Sequence, residues 1–128
     1  MKWTWAALLA PIFFLVACAA TPLPAQDAAK APDFAVEGLP TMINLGTDLC
    51  LSCRKMSSVM EELEKEYRGR ATIAYIDMVK HREQAAPYKI RSVPTQIFFD
   101  KEGKERFRHE GVLSKKRCIK YLEKLGAK

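Results

Sequence analysis

The sequence predicts an α/β domain in which a small mixed sheet of about four strands has helices on both faces. Three observations carry this prediction. A short apolar stretch, a stretch of helical periodicity and a stretch of β-forming residues follow one another, which favours parallel strands joined by a helical crossover. Further along, turn residues separate two strand-like stretches, which favours an antiparallel hairpin. A last stretch of helical periodicity completes the layers.

The first predicted elements flank a pair of cysteines. Residues 41–45 form an apolar run closed by Gly46, which predicts a buried strand. Beyond Cys53, apolar side chains recur at helical spacing until Gly69, a residue typical of a helix end. These side chains are Met56, Val59, Met60, Leu63 and Tyr67. Residues 71–77 are rich in β-forming side chains and predict the second strand.

The middle of the chain predicts a short helix and a hairpin. Residues 82–88 have a helical pattern that Pro87 disturbs, because proline lacks the main-chain N–H that a helix uses. Residues 95–100 and 105–109 predict the third and fourth strands. The turn between them contains Gly103, which is able to adopt positive φ.

The last element is a predicted helix. Gly111 ends the hairpin, and Ser114 stands where a helix cap is expected. The apolar side chains that follow are Ile119, Leu122 and Leu125. Cys118 falls on or near the same helix face, where a buried thiol behaves as a small apolar side chain.

The amino-terminal segment has the pattern of an export signal. After Lys2, residues 5–16 read WAALLAPIFFLV and carry no charge. A bilayer-spanning helix needs about 20 apolar residues, so this shorter run fits the core of a signal peptide. The letters LVAC that close it resemble the bacterial lipobox, which predicts removal of residues 1–17 and lipid on Cys18. An ordinary cut near Ala19 and an uncleaved anchor are the alternatives, and all three place the folded part outside the cytoplasm, in the periplasm.

Residues 18–33 are rich in alanine and proline and contain no aromatic side chain. This composition predicts a flexible tether ahead of a folded domain at residues 34–128. The formal net charge of the whole chain is +6, with basic residues spread over several segments. Scattered basic side chains are typical of a solvated surface, so we expect a monomer that does not bind nucleic acid.

Cys50 and Cys53 form a CxxC motif at the junction between a predicted strand and a predicted helix. This spacing alone fits a redox pair, half of a metal site or a structural disulfide. A position at the start of a helix favours a thiolate on Cys50, because unpaired N–H groups and the helix dipole attract negative charge. The side chain of Arg54 adds positive potential nearby. About 40 residues later the sequence IRSVPT, residues 90–95, precedes the hairpin.

The CxxC junction and the Val-Pro-Thr sequence ahead of a hairpin resemble the thioredoxin family over about residues 41–125. The resemblance implies the thioredoxin fold and thiol-disulfide exchange without a separate cofactor. Cys50 would attack a substrate disulfide, and Cys53 would resolve the mixed disulfide, leaving a Cys50–Cys53 disulfide.

The resemblance also assigns a role to the segment before the third strand. Pro94 matches the cis-proline of the family, and a cis bond before proline is rare but accessible. Val93 and Thr95 would then lie beside the dithiol. The main chain there would be free to pair with an extended substrate segment.

Three positions depart from the family pattern. Asn44, six residues before Cys50, stands where the family has a buried Asp, and Tyr75 stands at the position of its Lys partner. Leu49 replaces the usual Trp before the first cysteine. The two charged groups are missing together, which is consistent because a buried Lys without its counter-charge is costly. With Arg54, these residues are expected to tune the redox pair.

The predicted function is a protein-disulfide reductase that acts on exported proteins and is held at a membrane by a lipid anchor. Reduction outside the cytoplasm needs a source of electrons, so a membrane electron-donor protein is an expected partner. The alternative is a copper or other metal chaperone, in which His81 or His109 joins the two cysteines as a ligand. A binding module without catalysis is a third interpretation, against which the presence of both cysteines argues.

Overall fold

The computed structural model describes residues 29–128. The predicted signal peptide, Cys18 and the first part of the predicted tether lie outside the described residues. The first three elements are strand β1 (Thr41–Gly46), helix α1 (Leu51–Glu66) and strand β2 (Thr72–Asp77). They are followed by helix α2 (Arg82–Ala85), a 3-10 turn (Ala86–Tyr88), strands β3 (Thr95–Phe99) and β4 (Glu105–Glu110), and helix α3 (Lys115–Lys124). Each predicted strand and helix is therefore present.

The four strands form one mixed sheet in the order β2-β1-β3-β4. Strands β1 and β2 are parallel, as a helical crossover requires, and Leu45 pairs with Ile76. Strand β3 runs antiparallel to both β1 and β4. The predicted mixed α/β fold is confirmed.

Helices cover both faces of this sheet. Helices α1 and α3 pack on one face around a buried cluster that includes Met42, Met56, Phe98, Cys118 and Leu122. Helix α2 covers the other face, where the buried residues include Ile43, Ile97, Tyr88 and Phe99. Because side chains alternate along a strand, the apolar runs of β1 and β3 supply both layers.

Caps and a proline set the ends of the three helices. Helix α1 starts ahead of the apolar periodicity, and Cys50 is its N-cap with extended φ and ψ of −96° and 122°. Ser114 is the N-cap of α3, but its side chain makes no capping hydrogen bond. The short helix changes to a 3-10 turn after Ala85, where Pro87 interrupts the hydrogen-bond ladder.

The predicted tether ends earlier than residue 33. Lys30 forms an isolated antiparallel bridge with Lys104, and the Ala31 N–H donates to the Gly103 carbonyl at 3.0 Å. Ala29 and Ala31 pack against the cluster beneath α2. Small side chains fit close to the sheet, and the hairpin turn offers main-chain partners, so this part of the segment packs despite its low apolar content. Within residues 29–128, no helix is long and apolar enough to cross a membrane.

Candidate active site

The two cysteines of the CxxC motif and the Val-Pro-Thr segment lie at the same end of the sheet. Strand β1 ends at Gly46, and the chain turns through residues 47–50 into α1. On the neighbouring strand, Thr95 pairs with Leu45 near that end of β1. The Val93–Pro94 peptide bond directly before it is cis, as predicted. The topology thus gathers residues about 40 positions apart in the sequence at one edge.

Cys50 is held as a hydrogen-bond acceptor at the start of α1. Its Sγ accepts from the Cys53 main-chain N–H at 3.2 Å and lies 3.0 Å from the Ser52 hydroxyl oxygen. Hydrogen bonding with the Cys53 side chain, followed by that with Ser52, lowers the pKa of Cys50 to about 7. Sequence reasoning missed Ser52. A hydroxyl two residues after a capping cysteine is the signal that points to it.

Cys53 has the opposite character. Its side chain is 1 % exposed, and burial, followed by its hydrogen bond to Cys50, raises the pKa of the Cys53 thiol. At neutral pH the pair therefore holds its negative charge on the accessible sulfur and its proton on the buried one. Two neighbouring groups whose pKa values are pushed apart are the usual basis for assigning different chemical roles.

Hydrogen bonds fix the segment that contains the cis bond. The Thr95 hydroxyl donates to the Ser92 carbonyl at 2.7 Å, and the Gly111 N–H donates to the Pro94 carbonyl at 2.7 Å. The Ser92 hydroxyl donates to the Glu110 carboxylate at 2.8 Å. Pro94 and Thr95 are buried, whereas the Val93 side chain is half-buried. This segment is therefore a rigid support at the edge of the site.

A buried pair of amides lies in the sheet below the cysteines. Asn44 on β1 and Gln96 on β3 are register partners, and the Gln96 Nε2 donates to the Asn44 Oδ1 at 2.8 Å. Both residues are 0 % exposed. Asn44 is one of the predicted tuning residues, whereas Gln96 was not predicted from the sequence. An amide side chain in the largely apolar strand TQIFF is the signal for it.

Tyr75 adjoins both Asn44 and Cys53. It pairs with Asn44 in the register of β2 and β1. A Cβ atom at Gly46 would lie 3.2 Å from both the Cys53 Sγ and the Tyr75 Cε2, so a larger residue there would crowd both side chains. Burial, followed by the charges of Asp77 and Asp48, raises the pKa of Tyr75 to about 12.

The other predicted tuning residues lie on the surface. The Leu49 side chain is 91 % exposed and presents apolar surface to solvent next to Cys50. Arg54 is exposed and lines a groove of about 470 Å³ between α1 and β2, together with Ser57 and Tyr75. A tuning role for Arg54 stays a prediction, since hydrogen bonds to the sulfur are the leading causes of the lowered pKa of Cys50.

The metal alternative needs a third ligand near the cysteine pair. His81 caps α2, and His109 lies on β4 opposite Gln96. Across residues 29–128, no three His, Cys, Asp or Glu side chains form a group that could hold a metal ion.

The fold and the site define a class of protein, in which a helix beside a mixed sheet begins with a dithiol and a cis-proline segment lies at the same edge. Residues 28–126 match the family model of the thioredoxin-like domain. The chain belongs to the thioredoxin family, and its general function is that of a thiol-disulfide oxidoreductase.

Individual relatives agree with this assignment. The chain is 30 % identical over 92 residues to thioredoxin from Staphylococcus aureus (strain Mu50 / ATCC 700699), covering 72 % of this chain and 88 % of that protein. Thioredoxin C-2 from Corynebacterium nephridii is 25 % identical over 84 residues, which cover 66 % of this chain and 77 % of the relative.

Solved structures show the same fold. The solution structure of an uncharacterized thioredoxin-like protein from Clostridium perfringens matches with a TM-score of 0.62 and 35 % identity, covering 73 % of this chain and 75 % of the other. The crystallographic structure of Fasciola hepatica thioredoxin matches with a TM-score of 0.61 and 26 % identity, covering 69 % and 82 %. The predicted thioredoxin fold is confirmed.

Proposed function

We propose that this protein reduces disulfides of exported proteins, with Cys50 as the attacking sulfur and Cys53 as the resolving sulfur. One observation carries the proposal: the pKa of Cys50 is lowered to about 7 while that of buried Cys53 is raised. The thiolate is the nucleophile in disulfide exchange, and with a pKa of about 7 a large fraction of the accessible sulfur is charged at neutral pH.

The reaction has two exchange steps. The Cys50 thiolate attacks one sulfur of the substrate disulfide, and the other substrate sulfur leaves with the electron pair and takes up a proton. Cys53 then loses its proton and attacks the Cys50 sulfur, which releases the second substrate thiolate to be protonated. The substrate gains two electrons and two protons, and the protein is left with a Cys50–Cys53 disulfide.

The modest shift at Cys50 supports reduction as the direction of the reaction. A dithiol whose thiolate is very strongly stabilised is a strong oxidant, with a pKa of about 3.5 in the extreme case, whereas a reducing thioredoxin has a pKa of about 7. The pKa of Cys50 is about 7 and so matches the reducing type.

The site of action is inferred from the amino-terminal segment. The export signal and the lipobox-like letters before Cys18 support a periplasmic protein that is tethered to a membrane through lipid on that cysteine. A membrane electron-donor protein would reduce the Cys50–Cys53 disulfide after each turnover. The protein acts as a monomer on protein substrates and needs no separate cofactor.

The test of activity is insulin reduction by the full chain with dithiothreitol as the electron source. We expect Cys50→Ser to abolish the reaction and Cys118→Ser, a matched loss of a buried sulfur, to leave it intact. Equal activity of the wild type and Cys50→Ser would refute the proposal. A redox titration of the pair checks the direction: a potential near −270 mV, roughly that of thioredoxin, supports reduction, and one near about −120 mV would reverse it.

The test of attachment is expression of the full chain with labelled fatty acid. We expect label in the wild type and none in Cys18→Ser, which should appear in the soluble fraction. Label that persists in Cys18→Ser would refute lipidation at this residue, and a domain found in the cytoplasm would refute the proposed location.

A further inference from the structure

A row of uncharged polar side chains lies in the sheet beneath the start of α1. Tyr75, Asn44 and Gln96 occupy neighbouring positions on three adjacent strands. Because side chains alternate along a strand, Asn44 and Gln96 share a face with Met42 and Phe98, which belong to the cluster under α1 and α3. The row is therefore part of the layer between the sheet and these helices.

Three polar atoms of this row are buried without a hydrogen-bond partner among the described residues. They are the Asn44 Nδ2, the Gln96 Oε1 and the Tyr75 hydroxyl. The two amides bond to each other, which uses only one donor and one acceptor. An unpaired buried polar atom costs stability, so three in one row call for an explanation.

Gly46 connects the row to the surroundings of the resolving sulfur. Gly46 follows Asn44 on the same face of β1, and a Cβ there would lie 3.2 Å from the Cys53 Sγ and 3.2 Å from the Tyr75 Cε2. The Cys53 sulfur and the Tyr75 ring therefore both lie close to Gly46. The charge of Cys53 is also among the causes that raise the pKa of Tyr75.

The free groups of the row include two donors that hold their protons at neutral pH. An amide NH₂ only donates, and the Tyr75 hydroxyl, whose pKa is raised to about 12, stays protonated. Neither group carries a charge that would repel a thiolate. Tyr75 also lines the groove between α1 and β2, which opens towards solvent.

We propose that Tyr75 and Asn44 are positioning residues that stabilise the Cys53 thiolate, and that Gln96 holds the Asn44 amide in place for this role. The inference rests on the proposed function and deepens its second step. In that step the Cys53 proton passes to solvent and the thiolate attacks the Cys50 sulfur. The bond from Cys50 to the substrate sulfur breaks, and the released substrate thiolate takes up a proton.

The uncharged row differs chemically from the buried Asp that the family has at the position of Asn44. A carboxylate would titrate in its own right, and its charge would oppose a neighbouring thiolate. Neutral donors favour the thiolate at every pH at which they stay protonated. Once Cys50 is replaced by serine, the pH profile of Cys53 should therefore contain one ionisation and not two coupled ones.

The pKa of Cys53 is measured by thiolate absorbance in the full chain carrying Cys50→Ser. Subtracting the Cys50→Ser/Cys53→Ser protein removes the contributions of the other thiols. We expect Tyr75→Phe to raise the pKa of Cys53 by roughly one unit, which is a tenfold loss of thiolate at any pH below it. We expect Asn44→Leu to shift it in the same direction.

Ile73→Val, a small truncation two residues before Tyr75 on the same strand face, is the matched control and should leave the pKa of Cys53 unchanged. Tyr75→Phe removes an unpaired buried hydroxyl, so the thermal stability of this variant should stay the same or rise. If Tyr75 had only a structural role, the substitution would not raise the pKa of Cys53 while leaving stability intact. If Asn44→Leu fails to fold, the pKa of Cys53 in Tyr75→Phe alone tests the inference. An unchanged Cys53 pKa in folded Tyr75→Phe overturns the inference. A shifted pKa in a protein that cannot reduce insulin instead refutes the proposed function and leaves this site standing.

Discussion

The layer between the sheet and helices α1 and α3 has a polar end and an apolar end, and each contains a buried cysteine. At the polar end Cys53 stands beside Tyr75 and above Asn44. At the apolar end Cys118 is 0 % exposed among apolar side chains such as Leu122, and burial raises its pKa to about 12. The two sulfurs are almost equally buried. Cys53 differs from Cys118 in having the Cys50 side chain as a hydrogen-bond partner. A nearby partner sulfur thus separates a reactive thiol from an inert one.

The largest expected effect comes from removing each sulfur in turn. Cys53→Ala should reduce multiple-turnover insulin reduction by about 1,000-fold or more, because the mixed disulfide on Cys50 has no resolving thiol. That mixed disulfide should accumulate and be visible on a non-reducing gel. Cys118→Ala should stay within about twofold of the wild type and lose only roughly 1 kcal/mol of stability. If Cys53→Ala and Cys118→Ala inactivated the protein to a similar extent, the proposed difference between the polar and the apolar end would be wrong.

The next effect tests what the apolar end contributes. Leu122 is 0 % exposed, so Leu122→Ala should lower the free energy of unfolding by about 3 kcal/mol, measured by urea denaturation. Leu125→Ala is the matched control, since Leu125 is only partly buried in the same layer and should cost less. Under conditions where both variants are folded, the alkylation rate of Cys50 should not change. A change in that rate would mean that the two ends are coupled.

A pH titration sharpens the contrast within the polar end. Because the pKa of Cys50 is lowered to about 7, its alkylation rate should rise up to about pH 7 and level off above it. Below the midpoint, each pH unit should lower the rate about tenfold, since the thiolate fraction falls by that factor. Mass spectrometry of the Cys50 peptide gives the rate free of other thiols. A midpoint near the ordinary value of 9.0 would contradict the hydrogen-bonded geometry.

The smallest expected effect belongs to a single hydroxyl. Ser52→Ala removes the second cause of the lowered pKa of Cys50 and should move the alkylation midpoint upward by less than about one unit. Ser58→Ala, an exposed serine on the same helix, should leave the midpoint in place. A downward shift in Ser52→Ala would show that the hydroxyl does not act as a donor to the sulfur.

Most of the fold follows from local patterns in the sequence. The apolar spacing of Met56, Met60 and Leu63 fixes the buried face of α1, and the glycine turn at residue 103 fixes the hairpin. The observed ends of the strands and helices differ from the predicted ends by one or two residues, because main-chain hydrogen bonds and caps determine where an element ends. The sequence could not show that residues 29–31 pack on the hairpin turn, since that contact joins segments far apart in the chain.

The candidate site was predictable only in part. The CxxC motif and the segment at Pro94 are local signals, and both lie where the pattern places them. The pairing of Gln96 with Asn44 depends on the register of two antiparallel strands, which composition does not reveal. The lowered pKa of Cys50 depends on hydrogen bonds with the Cys53 side chain and with Ser52, which only the folded geometry defines.

The bridge between Lys30 and Lys104 has a consequence for how the domain is presented. Lys104 precedes β4 at the hairpin turn, and β3 runs antiparallel to β1, so this turn and Cys50 lie at opposite poles of the sheet. The two poles are about 20 Å apart, the length of a six-residue strand. A segment joined to the chain ahead of residue 29 therefore enters the domain at the pole opposite Cys50. A purification tag or a surface linker placed there leaves the Cys50 pole open to a bulky protein.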